Sequence, residues 1–334
     1  SKLRTDDHFS AQDGKINQKF NGDEIDIRVS VVPITTGEKV VLRLLSERSR
    51  EYTLDSLGMY PEDFQKVQKA IRKPWGMILA TGPTGCGKTT TLYSILKILN
   101  SPEINISTIE DPVEYDIGSV NQIQVNTQTN LTFSKGLKSI VRQDPDIIMI
   151  GEIRDEETAS IAVNSAMTGH LVLSTIHTND SSTTLPRLLD MGVEPFLSAS
   201  TVNVAVAQRL VRKICLKCRA SVELPVKKVN EIKLQFSKEA QKKLLEYIRD
   251  GRLTVYKGKG CKTCHNTGYT GRAGIFEVLE ITEEVKSLIM QRANAAKIQK
   301  QAVKEGMTTM VEDGLRKVAE GRTTIDEVLR VTRG

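Results

Sequence analysis

Hydrophobic and polar positions in this chain of 334 residues follow two rhythms. The first 45 residues alternate with period two. Lys15–Phe20 and Glu24–Val32 predict strands, with Asn21-Gly22-Asp23 as the hairpin turn between them. Thr36-Gly37-Glu38 predicts a second turn and Lys39–Leu45 a third strand, so an antiparallel meander is expected. After a polar connector over Glu47–Leu57, the pattern turns helical at Tyr60–Arg72. Phe64, Val67 and Ile71 share a face, Pro61 suits the first turn and Pro74 ends the helix. From Gly76 to about Gln208, apolar runs alternate with helical stretches. Strands are expected at Met77–Ala80, Ile104–Ile109, Ile147–Ile150 and Leu171–Ile176, and helices at Lys88–Leu99, Ser134–Arg142, Glu156–Met167, Ser182–Asp190 and Phe196–Leu210. Continuous apolar strands imply burial on both faces of a largely parallel sheet, the α/β class. Val211–Gly274 breaks the pattern, with a helix expected at Ser237–Arg249 that Ser237 can cap and Gly251 can end. Beyond Ile281 the spacing is helical again: Glu283–Arg292, Ala295–Glu305, Met310–Glu320 and Ile325–Val331.

The junction between the run Met77–Ala80 and the helix at Lys88 carries the strongest chemistry. It reads Gly82-Pro83-Thr84-Gly85-Cys86-Gly87-Lys88-Thr89, followed by Thr90. Strand, glycine-rich loop and helix form the context of a phosphate-binding loop. The glycines let successive N–H groups turn inward, and the helix N-terminus favours an anion. Lys88 reaches β- and γ-phosphates and the Thr89 hydroxyl suits Mg²⁺. The expected ligand is ATP. Cys86 occupies a variable position of the motif and needs no special role.

Three further stretches fall at strand ends. Asp146–Glu152 is an apolar strand ending in acid, the form that holds Mg²⁺ or orients water; here the strand-end position is Gly151 and the acid is Glu152. Thr108–Tyr115 places Glu110, Asp111 and Glu114 past a strand, where a carboxylate can accept a proton from water or position the metal. Thr168–Asp180 brackets a strand with two histidines; His177, at the carboxyl end, can sense the γ-phosphate, while His170 at the other end suits a structural role.

Composition narrows the class. Charged residues make up 26% and hydrophobic ones 39%, ordinary for a soluble globular protein, and no apolar run is long enough to span a membrane. There is no signal peptide, and Ser1 in place of methionine raises the expectation of a missing upstream region. The net charge of +6 is carried by Arg219–Gly260, with eleven Lys/Arg against five Asp/Glu. That insert suits a local acidic partner, a membrane surface or a solvated face. A nucleic-acid motor is the alternative reading, but with only seven Phe and seven Tyr in the whole chain a stacking platform is not evident. Four of the five cysteines form two Cys-x-x-Cys pairs, Cys215/Cys218 and Cys261/Cys264, with 42 residues between them. Two such knuckles complete a tetrahedral, structural zinc site. Gly258, Gly260 and Gly268 suit its sharp turns.

Together, GPTGCGKTTT at Gly82–Thr91, TIEDPVEY at Thr108–Tyr115, DPDIIMIGEIRD at Asp144–Asp155, TGHLVLSTIHTND at Thr168–Asp180 and the cysteine pairs resemble the secretion ATPases that drive type II secretion and type IV pilus assembly. The resemblance implies a RecA-like ATPase core and a homo-hexameric ring on the cytoplasmic side of the inner membrane, attached to platform and docking proteins. It implies that Arg28 and Arg43, from a small preceding domain, complete the nucleotide site. The domain limits expected are 1–50 for the end of a PAS-like small domain, 51–75 for a linker and leading helix, 76–210 for the ATPase core, 211–275 for the zinc subdomain and 276–334 for a helical C-terminal subdomain.

Overall fold

The computed structural model describes residues 3–20, 23–46, 52–126, 128–249 and 252–333. The hairpin turn at Asn21-Gly22, part of the polar connector and the helix-ending Gly251 lie outside the described residues. The chain forms two compact units, Ser1–Thr53 with Glu114–Ile117, and Leu54–Val113 with Gly118–Gly334.

The first unit is the expected meander. Strands β1 (Gln12–Phe20), β2 (Asp23–Ile34) and β3 (Gly37–Ser46) pair antiparallel in the order β1-β2-β3. The register sets Arg28 of β2 directly opposite Arg43 of β3. Two like charges so placed repel. Glu114, in the same unit, offsets this by ion-pairing with Arg28, Oε2 to Nη2 at 2.5 Å.

The second unit opens with helix α1 (Pro61–Ile71), then β4 (Gly76–Thr81), α2 (Lys88–Leu99), β5 (Ile106–Glu110), β6 (Asn121–Gln124), α3 (Phe133–Ile140), β7 (Ile147–Ile150), α4 (Glu156–Met167), β8 (Leu171–Ile176), α5 (Thr184–Asp190) and α6 (Pro195–Thr201). Apart from β6, an edge strand that was not expected, these match the expected elements up to α6. The expected helix Phe196–Leu210 is corrected: α6 stops at Thr201 and the chain continues as strand β9 (Val202–Ile214). Val202, Val204 and Val206 alternate with small residues and are all buried, because β9 is covered on both faces and flanked by β4 and a later strand. Full burial removes the polar alternation that would have distinguished strand from helix.

Next come β10 (Arg219–Leu224), α7 (Val226–Lys233), α8 (Lys238–Glu246), β11 (Ile248–Arg249) and β12 (Arg252–Gly258), a small antiparallel sheet β10-β12-β11 with two helices. Ser237 caps α8 as expected, its side chain accepting from the Ala240 N–H. Strand β13 (Tyr269–Glu280) then returns antiparallel to β9. The last helices are α9 (Glu283–Met290), α10 (Ala295–Lys304), α11 (Met310–Ala319) and α12 (Ile325–Thr332), each capped by the side chain of Thr282, Asn294, Thr309 or Thr324.

The central sheet has seven strands in the order β13-β9-β4-β8-β7-β5-β6, parallel except for β13. Every residue of β4, β5, β7 and β8 is buried, so both faces are covered. The consequence for function is positional. β4, β8, β7 and β5 are consecutive neighbours, so their carboxyl ends form one continuous edge. Among the described residues no helix is long and apolar enough to cross a membrane.

Candidate functional site

Four loops leave that edge. The loop after β4 is Gly82–Gly87, and α2 starts immediately at Lys88. Gly82, Gly85 and Gly87 all have positive φ, 141°, 76° and 94°. Gly82 is also bound by space, since a Cβ there would lie 2.6 Å from both Cys86 Sγ and Gln208 O. The Lys88 ammonium folds back into the loop, donating to the carbonyls of Gly82 at 2.7 Å and Pro83 at 3.2 Å. Burial lowers its pKa, so an approaching anion would restore stabilisation of the charged form. Burial also pushes the Cys86 thiol up, which makes it an inert packing residue. Thr84 and Gly85 at the tip are exposed, and Thr89 and Thr90 are half-buried at the start of α2.

The loop after β7 carries Glu152. Its neighbours are fixed on both sides: Gly151 N–H donates to Ile109 O at 2.8 Å, and Ile153 N–H to Thr175 O at 2.9 Å. A Cβ on residue 151 would lie 3.2 Å from the Glu110 Cα and 3.3 Å from Ile109 O. That close approach of β5 makes a side chain at the strand end tight, and the acid stands one position later. The Glu152 carboxylate, 12% exposed, bridges His177 Nε2 at 3.1 Å and Arg154 Nη2 at 2.6 Å. His177 follows β8, so the sheet order brings the two motifs into direct contact. His170 sits at the opposite end of β8 against Ser165 O at 2.8 Å, the structural role expected. A cleft of about 430 Å³ opens over Gly82 and Pro83, bounded by His177–Asp180, Thr183 and Arg187.

Glu110 and Glu114, read together from the sequence, belong to different compact units. Glu110 ends β5 in the second unit and is 2% exposed. Its oxygens accept from Tyr93 Oη of α2 at 2.5 Å, Thr108 Oγ1 at 2.6 Å and Gln122 Nε2 at 3.2 Å. A carboxylate so fully supplied with donors is suited to position α2 rather than to take a proton from water. Glu114 and Arg28 pair in the first unit, and Arg43 is exposed on β3.

Residues without a sequence signal also shape the loop. Thr178 N–H donates to Thr81 Oγ1 at 3.0 Å, tying the ends of β8 and β4. Arg209, nearly buried and with its pKa lowered by that burial, donates to Asn179 O at 3.1 Å. Gln208 beside it contacts both the loop and α2. The polar pair Gln208-Arg209 interrupting an apolar run was the available clue, and the helical reading of this stretch hid it. Arg154, two residues from Glu152, carries no separate signal in the sequence.

The cysteines converge. The sulfurs of Cys215, Cys218, Cys261 and Cys264 all lie within 4.8 Å of one another. Sγ–Sγ separations are 3.8 Å for Cys215–Cys261, 3.9 Å for Cys218–Cys264 and 3.7 Å for Cys261–Cys264. A tetrahedron with Zn–S bonds near 2.3 Å has edges of about 3.8 Å, so the donor set fits zinc. Cys264 Sγ accepts from the N–H groups of Cys261 at 3.2 Å and Gly268 at 3.3 Å, the outer-shell support a metal thiolate needs. Hydrogen bonds, that of the Thr270 hydroxyl first, lower the Cys215 thiol to about 6, while burial raises Cys218 to about 11. Gly258 serves close approach rather than a turn: a Cβ there would fall 2.1 Å from Gly268 O.

A parallel sheet bearing a glycine loop, a buried lysine and an acid–histidine pair on one edge defines the P-loop nucleotide-binding class. Among solved structures the chain is similar to the pilus retraction motor PilT with bound ADP (25% identity, TM-score 0.68, covering 98% of this chain and 78% of that one). It also shares the fold of the ATPase DotB of Legionella pneumophila (21% identity, TM-score 0.67, covering 97% and 78%). The family model described as Type II/IV secretion system protein matches residues 1–330, and the chain belongs to that family. It is 45% identical over 322 residues to type II secretion system protein E of Pseudomonas aeruginosa, covering 96% of this chain and 61% of the relative. It is 46% identical over 319 residues to the type IV pilus assembly ATPase PilB of Myxococcus xanthus, covering 95% and 55%. The chain thus spans somewhat over half the length of these curated relatives.

Proposed function

We propose that this chain binds ATP at Gly82–Thr90 and hydrolyses it, and that the cycle powers type II secretion or type IV pilus assembly. The observation that carries this reading is the single sheet edge on which the loop, Lys88, Glu152 and His177 meet. Family membership and the names of the relatives support the machine in which it works.

In this reading the loop amides and Lys88 hold the phosphates, with Lys88 exchanging the Gly82 and Pro83 carbonyls for phosphate oxygens. Thr89, and Glu152 through water, would hold magnesium, which neutralises charge on the phosphates. Glu152 takes a proton from water as its oxygen bonds the γ-phosphorus and the bond to the ADP oxygen breaks, giving ADP and phosphate. His177, hydrogen-bonded to that carboxylate, registers departure of the γ-phosphate. Glu110 holds α2 through Tyr93. Arg28, on leaving Glu114, and Arg43 stabilise the developing charge.

The working assembly we propose is a homo-hexameric ring at the cytoplasmic face of the inner membrane, held by platform and docking proteins. The five domain limits given above are retained in this proposal. Phosphate release from ATP, followed with and without added magnesium, tests the core of it. Magnesium-dependent turnover is expected; none above a protein-free control would overturn the reading.

A further inference from the structure

Strand β9 buries two uncharged polar side chains, Asn203 near its start and Gln208 beside the phosphate loop. Gln208 is 2% exposed, and its amide contacts two pieces of the phosphate loop region at once. Nε2 donates to Cys86 O at 2.7 Å, and Oε1 accepts from Thr91 Oγ1 at 2.6 Å. This orientation is not arbitrary. A backbone carbonyl only accepts, so the amide nitrogen must face Cys86, which leaves the oxygen to the Thr91 hydroxyl. The Gln208 backbone carbonyl meanwhile closes the space beside Gly82, and Nε2 would lie 3.0 Å from a Cβ on Gly87.

The peptide joining Cys86 to Gly87 is trans and planar, so its carbonyl and its N–H point to opposite sides. Fixing the Cys86 carbonyl against Gln208 therefore turns the Gly87 N–H away from β9. In a phosphate loop that N–H is one of the donors an anion meets. The Thr91 contact fixes the first turn of α2 in the same act. At the tip, by contrast, nothing lies within 4 Å of a Cβ built on Gly85.

We propose that Gln208 is a positioning residue for the phosphate loop, holding the Cys86–Gly87 peptide and α2 in the orientation that receives a triphosphate before it arrives. The proposal rests on the nucleotide reading above. Without the amide, the peptide is free to rotate, and the free energy of ordering it falls on the binding step.

Gln208→Met conserves volume and removes both hydrogen bonds. Thr91→Val keeps the shape of its side chain and removes one. Affinity for Mg·ADP is measured for wild type, Gln208→Met and Thr91→Val, with kcat and KM for ATP and the thermal midpoint. Gln208→Met is expected to bind Mg·ADP about two- to tenfold more weakly, as loss of a buried hydrogen bond of ordinary strength implies, with KM rising more than kcat falls. Thr91→Val is expected to lie between it and wild type. Faster amide exchange across Gly85–Lys88 in nucleotide-free Gln208→Met is the signature a packing role would not produce. Unchanged Mg·ADP affinity in folded Gln208→Met would overturn the proposal while leaving the nucleotide reading intact. Failure of the wild-type chain to bind Mg·ADP would overturn both.

Discussion

Glu152→Gln is expected to lower ATP turnover by about 10²–10⁴-fold, the usual contribution of a general base, with ATP affinity little changed. Glutamine keeps the size and the hydrogen-bonding capacity toward His177 and Arg154, so the loop should hold its shape. What disappears is an oxygen able to accept the proton of the attacking water. Lys88→Ala should behave differently, losing affinity and turnover together, because the ammonium is the charge that meets the phosphates. Phosphate release and nucleotide titration on the two variants separate these effects. Wild-type turnover in Glu152→Gln would move the base elsewhere. Glu110 would be a poor substitute, enclosed as it is by Tyr93, Thr108 and Gln122.

Loss of zinc is the second large effect expected. Structural zinc contributes apparent binding free energies of about 10–16 kcal/mol in small zinc-finger peptides, and that energy is folding energy. Here the four thiols join the end of β9 to the start of β13 and close the insert that contains β10, β12, α7 and α8. The insert has apolar packing of its own, with Leu224, Val229, Phe236, Leu244, Leu253 and Val255 gathered against Leu315, Val318 and Val328 of the C-terminal helices. Cys264→Ser is therefore expected to cost the bound metal and the order of the insert, while the seven-stranded sheet persists. Elemental analysis should give one zinc per chain in reduced wild type and far less in the variant. Amide exchange should accelerate across β10 and β12 but not across β4 and β8. Full zinc content in Cys264→Ser, or unchanged exchange in the insert, would contradict the assignment.

What the sequence made legible is what short-range chemistry dictates. Gly82–Thr89 needs its glycines and lysine in fixed order, and the adjoining run and helix keep their own periodicity. The cysteine knuckles are equally local, and the cap Ser237 announces its helix. The rest depended on distant neighbours. β9 reads as helix because Val and Ala buried on both faces carry no alternation, and only its pairing with β4 and β13 makes it a strand. Gln208 finds Cys86 across 122 residues, a contact no local pattern encodes. The tight approach of the Glu110 backbone to Gly151 likewise comes from another strand. Glu114 is four residues from Glu110 along the chain, yet its ion-pair partner is Arg28, 86 residues away.

The central claim is that the bend between β4 and α2 receives a triphosphate opposite Glu152. A structure of the chain crystallised with magnesium and a non-hydrolysable ATP analogue tests it directly. The account predicts phosphate density enclosed by the amides of Gly85–Thr89, the Lys88 ammonium moved off the Gly82 carbonyl onto phosphate oxygens, and the Glu152 carboxylate facing the terminal phosphate. Nucleotide bound elsewhere, or an empty loop at saturating analogue, would contradict it.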